Sequence, residues 1–183
     1  MIRPIYLYGS EVLRQVAAPA DLSDREYLDN LVTDLKETLA KAEGCGLAAP
    51  QIGESVRVLI VDGRDMADVY PYLEGFTRVM INPVIIEESD RKSEYSEGCL
   101  SIPGIYYDVV RPESMTVEYY NEKLEKVTEK FWYEISYLIC GLPVKIDIID
   151  PAYVICVECS HILLDFRGVP CKNLTSGYSD KLL

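Results

Sequence analysis

The sequence predicts an α+β fold, with antiparallel sheets packed around a C-terminal helix and a further helix near the N-terminus. Three observations carry this expectation. A long amphipathic stretch comes first, several β-rich stretches divided by turn residues follow with no helix between them, and one helix signal returns near the end.

The first helix is read from "SDREYLDNLVTDLKETLAKAEG". Leu28, Leu31, Val32, Leu35 and Leu39 recur at helical spacing, so one face is apolar. Ser23 and Glu26 are expected to form a capping box. Gly44 is expected to end the helix in a left-handed conformation. Strands are expected at Val56 to Asp62, in "RVMINPVII", at Met115 to Tyr120, and in "LEKVTEKFW" after a turn at Asn121 and Glu122. Pro83 cannot donate to a ladder, so it belongs on an edge or at a bulge. Asp150 followed by Pro151 gives an N-cap and a first-turn proline, and this helix should run to about Asp165.

At 183 residues the chain is expected to form a single domain, 1–183. Its apolar fraction of 49% and charged fraction of 26% are those of a globular protein. A formal charge of −12 argues against nucleic-acid binding and against an anionic membrane surface. Arg3, Glu11 and Arg14 interrupt any apolar leader. The weakly charged run Ile135 to Val144 holds Gly141 and Pro143 and is too short to span a bilayer. A cytoplasmic location is therefore expected, with the six cysteines reduced or ligating metal.

Three pieces carry chemistry. In "GCGLAAPQIG", Gly44 to Gly53, small residues let backbone approach a ligand, and the Gln51 amide can donate to an oxyanion. The plainer reading is a helix end followed by a small-residue turn. In "EGCLSIPG", Glu97 to Gly104, Cys99 is expected in a loop between strands, with Glu97 and Ser101 placed to orient it as a metal ligand. A buried structural cysteine is the plainer reading there. In "VECSH", Glu158 and His161 lie on the expected second helix, where His161 is either a ligand or an ordinary packed histidine.

Together these segments resemble the peptide deformylase family. Its marks are a G-x-G-L-A-A-x-Q segment, an E-G-C-L-S segment and an H-E-x-x-H helix, in that order. Gly44-Cys45-Gly46-Leu47-Ala48-Ala49-Pro50-Gln51 and Glu97-Gly98-Cys99-Leu100-Ser101 match, as do "PIYLYGSEVLR" and "IPGIYYDVVRPE". The likeness is strongest over 1–130, and the tail 132–183 diverges.

The resemblance implies a metallohydrolase of protein biosynthesis that removes the formyl group from the initiator methionine of nascent polypeptides. It implies one Fe2+ or Zn2+ ion, held by Cys99 and His161, with Glu158 as general base. Gln51 and the Leu100 N–H would form the oxyanion hole, and Cys45, Gly46 and Gly98 would line the substrate site. The partners expected are N-formylmethionyl peptides near the ribosome, met by a monomer.

Val157 stands where the family's first helix histidine stands. Valine has no lone pair, and Cys156 and Cys159 point away from that position on a helix, so weak metal binding and little turnover are expected. A non-catalytic homologue that only binds formyl-methionyl peptides is the alternative. An emptied enzyme, an unusual ligand and an altered reading of the gene over the tail all account for the valine on sequence grounds. A structural zinc set of Cys156, Cys159, His161 and Cys171 is disfavoured, because a continuous helix separates those side chains.

Overall fold

Helix α1, Arg25–Ala42, forms where its apolar spacing places it, but neighbouring residues set its ends. Asp24 is the N-cap, its carboxylate accepting the Tyr27 N–H at 3.1 Å. Ser23 instead donates its hydroxyl to Asp21, so the expected capping box with Glu26 is not the one used. A carboxylate one residue closer to the first turn caps the same N–H groups and also meets the helix dipole. At the other end Glu43 takes the left-handed conformation, with φ 54° and ψ 37°, rather than Gly44. Gly44 is small for a different reason: a Cβ there would lie 2.8 Å from Leu100 Cδ1.

The computed structural model describes residues 1–132, together with Ile135 and Asp147–Ile148. The expected helix from Pro151 to Asp165 lies outside the described residues. Strands β1 (Gly46–Ala48), β2 (Val58–Asp62), β3 (Thr77–Glu88), β6 (Ser114–Tyr120) and β7 (Lys126–Trp132) form one sheet in the order β1-β2-β3-β6-β7. Each pairs antiparallel with its neighbour. A two-residue strand β8, Asp147–Ile148, adds a short parallel pairing to β3 at Val84 and Ile85. Pro83 lies at a bulge, as expected: the β3–β6 register shifts between Ile81 and Val84. Asn82 takes φ 52° there, and its side chain exchanges two hydrogen bonds with the backbone of Ala20.

Strands β4 (Lys92–Cys99) and β5 (Ile102–Pro112) form a separate two-stranded antiparallel sheet. The sequence reading has no counterpart for this hairpin. Cys99 is thus the last residue of a strand, not a residue of a loop between strands.

Alternate residues of β2 feed two cores. Val58 and Ile60 face α1, packing with Leu28, Leu31, Leu35 and Leu39. Leu59 and Val61 face the other way, packing with Met80, Met115, Val117, Tyr119 and Phe131. Tyr27, on the same helix, donates its hydroxyl to Glu54 at 3.2 Å. Burial, and then the Glu54 charge, push its ionisation up to about 12. No helix among the described residues is long and apolar enough to cross a membrane.

Candidate active site

The glycine-rich segment becomes strand β1 and then a 3-10 turn, Ala49–Ile52, with Pro50 in its first turn. Gly53 closes the turn at φ 94°, a conformation that favours glycine. This geometry turns Gln51 inward, where it is 1% exposed. The Gln51 Oε1 accepts the Ala48 N–H at 2.9 Å, which fixes which end of the amide is which. Nε2 is then aimed at two groups, Cys99 Sγ at 3.7 Å and Ser101 Oγ at 3.2 Å.

The second segment supplies those groups. The β4–β5 register breaks between Gly98 and Cys99, and the chain reverses through Leu100 and Ser101 so that Cys99 pairs with Ile102. The reversal brings the Ser101 N–H to 3.3 Å from Cys99 Sγ. The sulfur therefore accepts N–H groups from two directions, the setting in which a thiolate ligand is held and oriented. Ser101 orients Cys99 through its backbone, while its hydroxyl serves Gln51.

Glu97 has a different task from the expected one of orienting Cys99. Its carboxylate receives the Arg111 guanidinium through Nε and Nη2, both at 2.6 Å. The two side chains are 8% and 3% exposed, so the pair is buried. Arg111 was not among the residues singled out from sequence. Its signal was available in the alternation of Val109 and Arg111, which puts an arginine on the buried face of β5.

The remaining candidates fall beside these. Leu100 packs against the α1 core and over Gly44, bringing the two motifs together. Cys45 follows directly; it is partly buried, and its carbonyl accepts the Asp62 N–H at 2.8 Å. Gly46 pairs with Val61. Gly98 lies opposite Tyr106, whose ring covers it: an added Cβ would meet Tyr106 Cε1 at 2.8 Å. Because that ring is exposed, it can swing aside. Gly98→Ala is expected to cost under about 1 kcal/mol, and Tyr106→Ala in the same chain should remove the cost; urea denaturation measures both. A loss that persists in the double variant would mean that strand β4 itself is displaced.

Glu158, His161 and Val157 lie outside the described residues, as do Cys156, Cys159 and Cys171. Among the described residues no group of three or more His, Cys, Asp or Glu side chains could hold a metal ion.

The arrangement joins a G-x-G-L-A-A-x-Q glutamine to an E-G-C-L-S cysteine, and a family model described as Polypeptide deformylase matches residues 2–134. The chain belongs to the peptide deformylase family. The peptide deformylase of Fusobacterium nucleatum is 38% identical over 139 residues, covering 72% of this chain and 72% of the relative. That of Chlorobaculum parvum is 42% identical over 134 residues, covering 72% and 67%. Among solved structures, a class I type b peptide deformylase from Acinetobacter baumannii bound to Met-Ala-Ser matches with a TM-score of 0.68 at 30% identity, covering 76% of this chain and 89% of that one. The Thermotoga maritima peptide deformylase gives 0.67 at 30% identity, covering 76% and 87%. The antiparallel α+β architecture is thus the deformylase fold. The Gln51–Cys99 contact joins the two deformylase motifs that fall within the described residues.

Proposed function

We propose that the chain is a metal-dependent peptide deformylase whose metal site has been weakened at Val157. The observation that carries this is the Gln51 amide, locked by the Ala48 N–H and pointed at the Cys99 sulfur. The substrate class follows from the family and from the Acinetobacter baumannii relative, which holds Met-Ala-Ser, a peptide beginning with methionine. N-formylmethionyl ends of nascent chains are the proposed substrates, met near the ribosome by a cytoplasmic monomer.

Cys99 fits a metal-ligating thiolate, since its sulfur receives N–H groups from Ser101 and Gln51. His161 supplies the second ligand of the proposed set, and Val157 supplies none. An iron or zinc ion, when bound, provides Lewis-acid activation of water. Glu158 takes a proton as the water oxygen adds to the formyl carbon. Gln51 Nε2 and the Leu100 N–H donate to the oxygen on which charge develops. Glu158 then returns the proton to nitrogen as the C–N bond breaks, releasing formate and a free methionyl amine. Cys45, Gly46 and Gly98 line the approach, where small side chains leave room for the peptide backbone.

Catalytic sites of this kind keep three protein ligands and one open position. With two, the purified chain is expected to carry well under one equivalent of iron or zinc and to deformylate formyl-Met-Ala-Ser slowly. Elemental analysis beside a formate-release assay checks this. One full equivalent of metal, lost in Cys99→Ala, would show that a third ligand exists and that the valine is harmless.

The retained Gln51–Cys99 arrangement also supports a binding protein without turnover. Calorimetry of metal-free protein with a non-hydrolysable formyl-methionyl analogue separates the two. Affinity near 1 μM, about −8 kcal/mol, weakened by Gln51→Ala, would favour the binding protein. No binding at millimolar analogue is the result expected.

A further inference from the structure

Residues 1–8 form no helix or strand, yet their backbone is bonded to three separate parts of the fold. The Arg3 N–H donates to Thr38 Oγ1 on α1 at 2.9 Å, and its guanidinium reaches Asp34 and Glu54 at 3.1 and 2.9 Å. The Tyr6 N–H donates to the Gln51 carbonyl at 2.8 Å, and the Tyr8 N–H donates to the Ser101 carbonyl at 2.8 Å. Those acceptors belong to the two motif segments, which are themselves joined by Gln51 Nε2 and Ser101 Oγ at 3.2 Å. The four residues close a ring of hydrogen bonds: Tyr6 to Gln51, Gln51 to Ser101, Ser101 to Tyr8, and back along the chain.

We propose that Pro4–Tyr8 is a positioning strap, in which the Tyr6 and Tyr8 N–H groups set the separation of the Gln51 amide from the Cys99 sulfur. This rests on the deformylase reading of Gln51 and deepens it. Two residues of chain span at most about 7 Å, a spacer that limits how far apart the carbonyl of the 3-10 turn and that of the β4–β5 turn can lie. Side chains lock the spacer at its Gln51 end. The Tyr6 ring packs on Gly53, where a Cβ would lie 2.9 Å from Tyr6 Cε2, and φ of 94° already excludes most other residues. Ile5 packs into the α1 core beside it. Neither Tyr6 nor Tyr8 touches the proposed reacting atoms through this ring; each acts through Gln51 and Ser101.

The Gly44–Cys45 junction permits a direct test. A synthetic 1–44 thioester can be ligated to expressed 45–183 to give the full chain with its natural cysteine. Backbone esters at Tyr6 or Tyr8 remove a single N–H and keep every side chain. An ester at Ala18, whose N–H donates to the Ser55 carbonyl at 2.9 Å, outside the two motif segments, is the control. The readouts are the side-chain amide resonance of Gln51, its proton-exchange rate and the melting temperature.

The Tyr6 and Tyr8 esters are expected to speed Gln51 Nε2 exchange by about tenfold, on the scale of one lost hydrogen bond, and to shift its resonance. The Ala18 ester should lower melting similarly and leave Gln51 alone. Lowered melting with an unmoved Gln51 in the Tyr6 and Tyr8 esters would reduce the strap to a structural clip and overturn the proposal. Should the ester chains not refold, Tyr6→Ala expressed whole gives the same reading, because it frees the spacer from Gly53. An unchanged Gln51 resonance there also overturns it. None of these readouts needs metal or turnover, so the strap and the deformylase reading can fail separately.

Discussion

Val157→His is expected to raise iron or zinc occupancy to near one equivalent and to raise deformylation of formyl-Met-Ala-Ser by about 100-fold or more. Losing an outer-shell partner typically costs about 10–100-fold in metal affinity or activity, and a missing direct ligand should cost more. The substitution would set two histidines four residues apart, at 157 and 161, with Glu158 between them, so on the expected helix both imidazoles share a face. Cys99 would complete three ligands and leave one position open. Val157→Ala is the control, since it changes volume without adding a lone pair. Metal analysis and formate release should rise together in the histidine variant and stay flat in the alanine variant. A histidine variant that binds metal but releases no formate would move the fault to Glu158 or to the rest of the tail. One that does neither would mean that residues 132–183 do not bring His161 to Cys99.

How far the chain could be read from its letters depended on whether a signal was local. The α1 pattern from Leu28 to Leu39 was legible because one-sided burial writes itself at helical spacing. Its ends were not, because Ser23 beside Asp24, and Glu43 beside Gly44, each offer two adjacent residues able to do the same job. Pro83 was legible as an edge or bulge residue because it removes a donor wherever it stands, and the structure selects the bulge. The β4–β5 hairpin was missed because "KSEYSEGC" is polar and largely exposed, with little apolar alternation to mark a strand. That miss hid Arg111 as well. Glu97 and Arg111 meet diagonally across the hairpin, whose register sets Ser93 opposite Arg111, and a reading of local spacing cannot supply that contact. The Gln51–Cys99 contact spans 48 residues, and it was legible only as a resemblance carried by two motifs together.

The Glu97–Arg111 pair carries the largest stability effect expected among the described residues. With side chains 8% and 3% exposed and two contacts of 2.6 Å, neither charge has water to fall back on. Arg111→Met leaves the Glu97 carboxylate buried beside an apolar side chain, at a cost of about 3–5 kcal/mol. For a chain of this length each kcal/mol moves Tm by about 2–4 °C, so a drop of about 10 °C is expected. Removing both charges is a different experiment. Glu97→Leu with Arg111→Met exchanges an ion pair for apolar contact, and such exchanges are often neutral or stabilising by about 1–4 kcal/mol. The double variant should therefore recover most of what the single one loses, with the urea midpoint restored and the m-value unchanged. If Arg111→Met melts with the parent, the pair is wetter than its burial implies. If the double variant stays as unstable as the single one, packing around the guanidinium, and not the charge left behind, is what holds strand β4 and the Cys99 that ends it.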